Sequence, residues 1–321
     1  MKKILFRICV IVIFAGCKKD DPNPNGLSNV AINFLNEVMA IMQQNSINKD
    51  KIDWNDFRTR MYEKAAGAQE IDETTNGLYE ALKMLGDNHS FIVKTDGTSI
   101  YAGSLSCSVP AVTKPALPSN IGYVKVGSFS GDFMSSQAIA FARAILDQIK
   151  NQDGANITGW IVDLRGNGGG NMWPMIAGIG PILGEGTAGY FDYPNGTYIS
   201  WGFTNGASVS NGSAVTTMSP SYTLLSPMPK VAVLLDKGIA SSGEIVAVSF
   251  IARPKTKSFG SATCGLSTVN SNYILSNGWT LYLTSSFQAD RNKKRYGVPI
   301  QPDMVSTTDS IINDAVFWLN N

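Results

Sequence analysis

The stretch Lys230–Ala252, KVAVLLDKGIASSGEIVAVSFIA, sets the architecture of the chain. Its first part, KVAVLLD, is a short apolar run rich in valine and leucine, the pattern of a strand buried on both faces. It breaks at Asp236-Lys237-Gly238, and GEIVAVSFIA then reads as a helix. A buried strand therefore passes through a turn of small residues into a helix. Such a turn holds backbone N–H groups at the positive end of a helix dipole, where an anion or a transient oxyanion is stabilised. Ser241 and Ser242 occupy the turn, and two readings are open. They cap the helix, or one of them is a nucleophile.

A second turn of the same kind lies upstream. The apolar strand TGWIVDL leads through RGNGGGN into a helix, MWPMIAGIGPILG. Gly166, Gly168, Gly169 and Gly170 let its backbone approach a ligand closely. A dinucleotide fingerprint would need glycine where Asn171 stands, and a phosphate loop would need Lys-Ser/Thr, which is absent. The first turn is not the hydrolase elbow of Gly-x-Ser-x-Gly either, because Ile239 occupies the glycine position.

Around these turns strands and helices alternate. Residues 27–85 carry helical spacing, with Asp53 and Thr75 or Asn76 as candidate caps. SFIVKT and IGYVKVGSF read as strands, AIAFARAILDQIKN as a helix, and DSIINDAVFWLNN as a closing helix. NYILSNGWTLYLTSS reads as a hairpin around Ser276-Asn277-Gly278. Glu185–Ser219 reads as an irregular stretch holding a hairpin or a lid. Its aromatic part, GYFDYPNGTYISWGF, is open between a cleft lining and ordinary packing. The pattern is that of an α/β fold with layered sheets and helices, preceded by a small N-terminal helical bundle.

Composition excludes several function classes. The 321 residues are 44% hydrophobic with a formal net charge of +1, a soluble core-forming chain with no electrostatic case for nucleic acid. There is one histidine and no Cys-x-x-Cys, so no metal site and no cofactor is expected. The N-terminus, MKKILFRICVIVIFAGC, reads as a signal peptide over residues 1–17. Phe14-Ala15-Gly16-Cys17 resembles a bacterial lipobox, which implies lipidation at Cys17, and residues 18–26 read as a flexible tether. The expectation is an exported bacterial lipoprotein associated with the outer membrane, periplasmic or at the cell surface. Cys107 and Cys264 then meet an oxidising compartment, either as a pair or as two buried thiols.

Taken together, DLRGNGGG (Asp163–Gly170), ASSGE (Ala240–Glu244), GSATCG (Gly260–Gly265) and the ending YGVPIQPDMV resemble the C-terminal processing, or tail-specific, serine protease family. The likeness extends over about Leu85 to Val305. It implies a crotonase/ClpP-like core over residues 89–321 behind a helical subdomain over 27–88. It also implies peptide or unfolded-protein substrates and a serine endopeptidase working through an acyl-enzyme. Ser241 matches the nucleophile position. The backbone N–H of Ser242 and that of Gly168 or Gly169 match the oxyanion hole. Glu244 aids the helix cap, and Asp163 and Arg165 brace the glycine turn. The lysine that one branch places after Thr-x-Gly is Leu266 here. The tricorn-core-like branch instead uses a histidine after the helical region, which matches His89 in LGDNHSF. No glutamate stands where that branch orients its histidine, which leaves Asp290, Asp87, Asn88 and Tyr296 as candidates, with Asp290 placed first. Only some 30 residues separate His89 from Ile121, too few for a PDZ module. A non-catalytic binding protein for an apolar ligand or peptide is the alternative on the same scaffold.

Overall fold

The structure, a computed structural model, describes residues 24–321. Residues 1–17, with Cys17, and most of the tether lie outside the described residues. Three helices come first: α1 (Asn29–Asn45), α2 (Trp54–Lys64) and α3 (Thr75–Leu85). Ser28 caps α1 by accepting from Ala31 N, and Asp53 caps α2 by accepting from Asn55 N and Asp56 N. A short 3-10 turn over Ile71–Thr74 leads into α3, so Thr74 holds the cap position and Thr75 is already helical. Gly86, in the left-handed region, ends α3, as a residue without Cβ can at no steric cost.

Two short strands, β1 (Phe91–Val93) and β2 (Ser99–Tyr101), follow. The central part alternates β3 (Ile121–Lys125), α4 (Ser136–Lys150), β4 (Gly159–Asp163) and α5 (Met172–Leu183). Then come β5 (Gly186–Asp192), β6 (Tyr198–Thr204), β7 (Ala207–Ser210) and β8 (Ser213–Thr217). The chain closes with β9 (Lys230–Leu235), α6 (Ser242–Phe250), β10 (Thr256–Gly260), β11 (Thr268–Ile274), β12 (Thr280–Ala289), β13 (Met304–Val305) and α7 (Ile311–Asn320).

A five-stranded parallel sheet in the order β13-β10-β9-β4-β3 forms the centre. The period-2 pattern of β9 explains why it is apolar throughout. Val231, Val233 and Leu235 face the cluster built with α5 and α6, whereas Ala232 and Leu234 face Ile311, Ala315 and Leu319 of α7. Trp160 and Val162 of β4 join the first face and Ile161 the second. Each fully buried aliphatic side chain stabilises the fold by about 1.5–3 kcal/mol. Both faces of this sheet are therefore interior, and its functional groups emerge only at the strand ends.

The second sheet is antiparallel, in the order β2-β1-β12-β5-β6-β7-β8, with β11 also paired to β12. The three N-terminal helices share one apolar cluster with it, including Ile92, Ile100, Trp279 and Leu281. The stretch Glu185–Ser219, expected as irregular, is instead the four-stranded meander β5–β8. Asn205-Gly206 and Asn211-Gly212 turn its hairpins with positive φ at both residues, the geometry that matches strand twist. The aromatic segment is packing: Phe191, Trp201 and Phe203 lie in the main core.

Candidate active site

β9 ends at Leu235, and Asp236 Oδ1 accepts from Gly166 N and Gly238 N at 2.9 Å each. One carboxylate thus joins the two turns singled out in the sequence. Ser241 stands at φ 53°, ψ −120° immediately before α6, a conformation costing a non-glycine residue on the order of 1–3 kcal/mol. Its neighbours hold it there. Ser241 N donates to Glu244 Oε2 at 3.0 Å, and its carbonyl accepts from Glu244 N at 2.9 Å and Ile245 N at 3.1 Å. The backbone and Glu244 therefore cap the helix, and the hydroxyl is left for another partner.

That partner is His89. Nε2 lies 2.9 Å from Ser241 Oγ, across 152 positions of chain. The histidine sits on the loop between α3 and β1, where Asp87 Oδ1 accepts from the N–H groups of His89 (2.9 Å) and Ser90 (2.8 Å). Asn270 Nδ2 holds the His89 carbonyl at 2.9 Å. The ring is buried, and burial pushes its pKa down to about 4. The imidazole is neutral at ordinary pH.

Nδ1 of His89 lies 2.8 Å from Thr268 Oγ1, so a hydroxyl takes the place where an acid was sought. Asp290 is buried elsewhere: Oδ1 accepts from Asn292 N and Lys294 N, and Oδ2 from Tyr296 OH. It closes a tight turn after β12 and does not meet His89. Asp87 holds the loop backbone and Ser90, and Asn88 accepts from Tyr101 and Ser104. Thr268 was missed because nothing distinguishes it from the other hydroxyl residues of LSTVNSN. Only the pairing of β11 with β12 places it under the ring.

Around the nucleophile turn, Ser242 N opens α6 with no intrahelical partner, while Ser242 Oγ donates to Gly170 O at 2.7 Å. Gly169 N donates to Asn167 Oδ1 at 3.0 Å. Of the two glycines expected as oxyanion donors, Gly169 has its proton committed inside its own turn. Gly168 N has no such bond among the described residues. Gly169 serves closeness instead: at φ 98°, a Cβ there would stand 2.7 Å from Ala240 O and 2.9 Å from Ser242 N. Asp163 takes Arg165 N, Nε and Nη2 together with Tyr123 OH, bracing the turn from below.

Cys107 and Cys264 are joined in a disulfide. It fastens an extended segment, residues 102–118, beside the two turns. A cavity of about 440 Å³ lies between them, with Val109 and Val112 on one wall and Lys125, Ser128, Arg165 and Gly168 on the other. Among the described residues no group of three or more His, Cys, Asp and Glu side chains is placed to hold a metal ion. No described helix is long and apolar enough to cross a membrane.

A parallel sheet whose strand ends carry a serine on a strained turn, beside a glycine turn and a buried histidine, has the make-up of a serine peptidase on a mixed α/β fold. The chain belongs to peptidase family S41, whose sequence profile matches residues 120–306, and it is a serine-type peptidase. It is 29% identical over 303 residues to the nisin-resistance protein of Lactococcus lactis subsp. lactis, covering 94% of this chain and 88% of that one. In fold it resembles a lipoprotein from Streptococcus agalactiae, with TM-score 0.71, 23% identity and coverage of 95% of this chain and 99% of the other. It also resembles the photosystem II D1 C-terminal processing protease, with TM-score 0.54, 16% identity and coverage of 88% and 95%. His89 lies outside the matched segment, so its role rests on geometry.

Proposed function

We propose that the chain is a lipid-anchored serine endopeptidase in which Ser241 is the nucleophile and His89 the general base. The observation that carries this reading is the 2.9 Å approach of His89 Nε2 to Ser241 Oγ, with Nδ1 held by Thr268. Nδ1–H donates to Thr268 Oγ1, which leaves the Nε2 lone pair for the serine proton. Ser241 Oγ attacks the peptide carbonyl and passes its proton to Nε2. The oxygen gains its charge beside the N–H groups of Ser242 and Gly168. His89 then returns the proton to the leaving amine, and an ester remains on Ser241. Water adds to that ester, giving its proton to Nε2, which passes it to Ser241 Oγ as the ester bond breaks and the acid product departs. Among the described residues no carboxylate contacts the ring, and the oxyanion formed in the same step offsets the imidazolium charge. A non-catalytic binding scaffold has no use for a hydroxyl kept out of its helix cap and on a neutral imidazole. Labelling by a fluorophosphonate tests this reading: wild type is phosphonylated at Ser241 with loss of fluoride, and Ser241→Ala is not.

Residues 1–17 act in this proposal as a signal peptide, residues 18–26 as a tether, and Cys17 as the lipid-bearing residue. The helical subdomain spans 27–88 and the peptidase core 89–321. The protein is thereby exported and held at the outer membrane, periplasmic or at the cell surface. The name of the streptococcal lipoprotein supports the anchor. The name of the nisin-resistance relative supports a peptide substrate met outside the cell. Cells fed an alkyne fatty acid should label the wild-type protein and not Cys17→Ala; equal labelling of both removes the anchor.

The buried histidine predicts an unusual acid limb. The base works when neutral, so activity is present above the His89 pKa and falls as pH drops through about 4. The acylation rate of Ser241 should stay level from pH 8 to about 5. Stability follows the same group with its own window. Between the ordinary value of 6.5 and about 4, the unfolded chain binds a proton that the native ring refuses. The native state therefore loses stability as pH falls through that range. Thr268→Asp places a carboxylate on Nδ1 and should move the acid limb upward. A wild-type limb at 6.5 or above contradicts the assignment.

A further inference from the structure

We infer that Gln288, on β12, is a positioning residue that locks the nucleophile to the element holding the base. This rests on the Ser241–His89 reading above. Gln288 is fully buried. Its Nε2 donates to two backbone carbonyls at once, Ser241 O at 3.1 Å and Thr268 O at 3.1 Å. Two carbonyl oxygens only accept, so they fix which end of the amide faces them. The first carbonyl belongs to the nucleophile residue. The second belongs to the residue whose hydroxyl holds His89 Nδ1. One amide therefore spans the two residues whose separation sets the alignment of Oγ with Nε2.

The contact has a specific job at Ser241. That residue sits at φ 53°, and its carbonyl is held by two N–H groups of its own helix and by Gln288 from outside. The helix bonds orient the peptide relative to α6. The Gln288 bond orients its carbonyl relative to the antiparallel sheet from which Thr268 and β1 project. The backbone of Gln288 is anchored independently, with its N–H on Ser267 O at 3.3 Å and its carbonyl on Tyr296 N at 2.8 Å. The clamp is thus mounted on a fixed strand.

The other end of the side chain argues against a purely structural role. Gln288 Oε1 is buried with no hydrogen-bond partner among the described residues. Leaving a buried acceptor unpaired is unfavourable, and an unbranched apolar side chain of similar length avoids it. The hold of this side chain is therefore carried by Nε2, through the two carbonyls of Ser241 and Thr268. Misplacing reacting groups by about an ångström lowers a rate by roughly 10²-fold, so the amide nitrogen acts on the rate.

The test uses the mature chain, a fluorophosphonate probe and thermal unfolding, with Gln288→Met and Gln288→Leu as independent variants. The maximal phosphonylation rate of Ser241 is expected to fall by roughly ten- to a hundred-fold. The probe concentration for half-maximal rate should stay the same, and the melting temperature should fall by no more than a few degrees, the cost of two lost hydrogen bonds. Ser286→Ala, which removes another buried unpartnered hydroxyl from the same strand, should change none of these. A phosphonylation rate within two-fold of wild type in both variants overturns the inference. So does a loss of rate that tracks a loss of melting temperature. If Ser241→Ala labels like wild type, the Ser–His reading fails instead, and that control separates the two.

Discussion

Replacing His89 with glutamine lowers the rate at which a fluorophosphonate phosphonylates Ser241 roughly 10²- to 10⁴-fold, the usual contribution of a positioned general base. Glutamine fills most of the imidazole volume and still meets a hydroxyl, so the loop after α3 keeps its packing. What it cannot do is take the proton from Oγ. Ser241→Ala removes the phosphonylated atom, and no label is incorporated. The double replacement then adds nothing to Ser241→Ala on any peptide cleavage assay, because groups that act as one unit are not additive. The residual rate of His89→Gln measures what the turn alone supplies through Ser242 N and its dipole. Labelling at the wild-type rate in His89→Gln would show that Ser241 takes its activation from elsewhere and would end the proposal.

The parts of this site that were legible in the sequence are those set by local chemistry. The small-residue turn after a valine-rich strand located Ser241, and the single histidine located His89 once the family resemblance was drawn. Asp163, Arg165 and Glu244 were read correctly as braces, since they sit within three residues of what they support. The missed parts depend on pairing between distant strands. Thr268 reaches His89 only because β11 and β12 register as they do, with Thr268 opposite Phe287, and hydroxyl residues are common throughout that hairpin. Asp290 was placed first by charge, yet its oxygens are taken by the N–H groups of its own turn. Gly169 was a donor by position and is occupied by Asn167. The meander of β5–β8 is a different lesson. Pro194-Asn195-Gly196, Asn205-Gly206 and Asn211-Gly212 are hairpin signals in plain sight, obscured by reading Gly/Ser/Thr richness as irregularity.

Glu244 supports the largest expected effect on stability. It is completely buried and serves three donors at once: Ser241 N at 3.0 Å, Gly265 N at 2.9 Å and the Thr263 hydroxyl. Thr263 Oγ1 in turn accepts from Ile300 N at 2.8 Å. One carboxyl thus ties the nucleophile turn to the loop before β11 and to the segment after β12. Glu244→Ala strands these donors in the interior and should lower stability by about 3 kcal/mol, about 6–12 °C in melting temperature. It also frees Ser241 from the bond that holds φ positive, so acylation should fall with stability. Burial raises the Glu244 pKa to about 7, while hydrogen bonds from Thr263, Gly265, Ser241 and Leu266 pull the other way. The native site therefore favours the protonated acid relative to the unfolded chain. That contribution is present below the ordinary value of 4.5 and is lost as pH rises through about 7. The His89 contribution is common to both proteins and cancels in the difference. The gap in melting temperature between wild type and Glu244→Ala should accordingly be widest in acid and narrow toward pH 8. A gap that widens as pH rises would mean the carboxylate, not the acid, is the form the fold prefers.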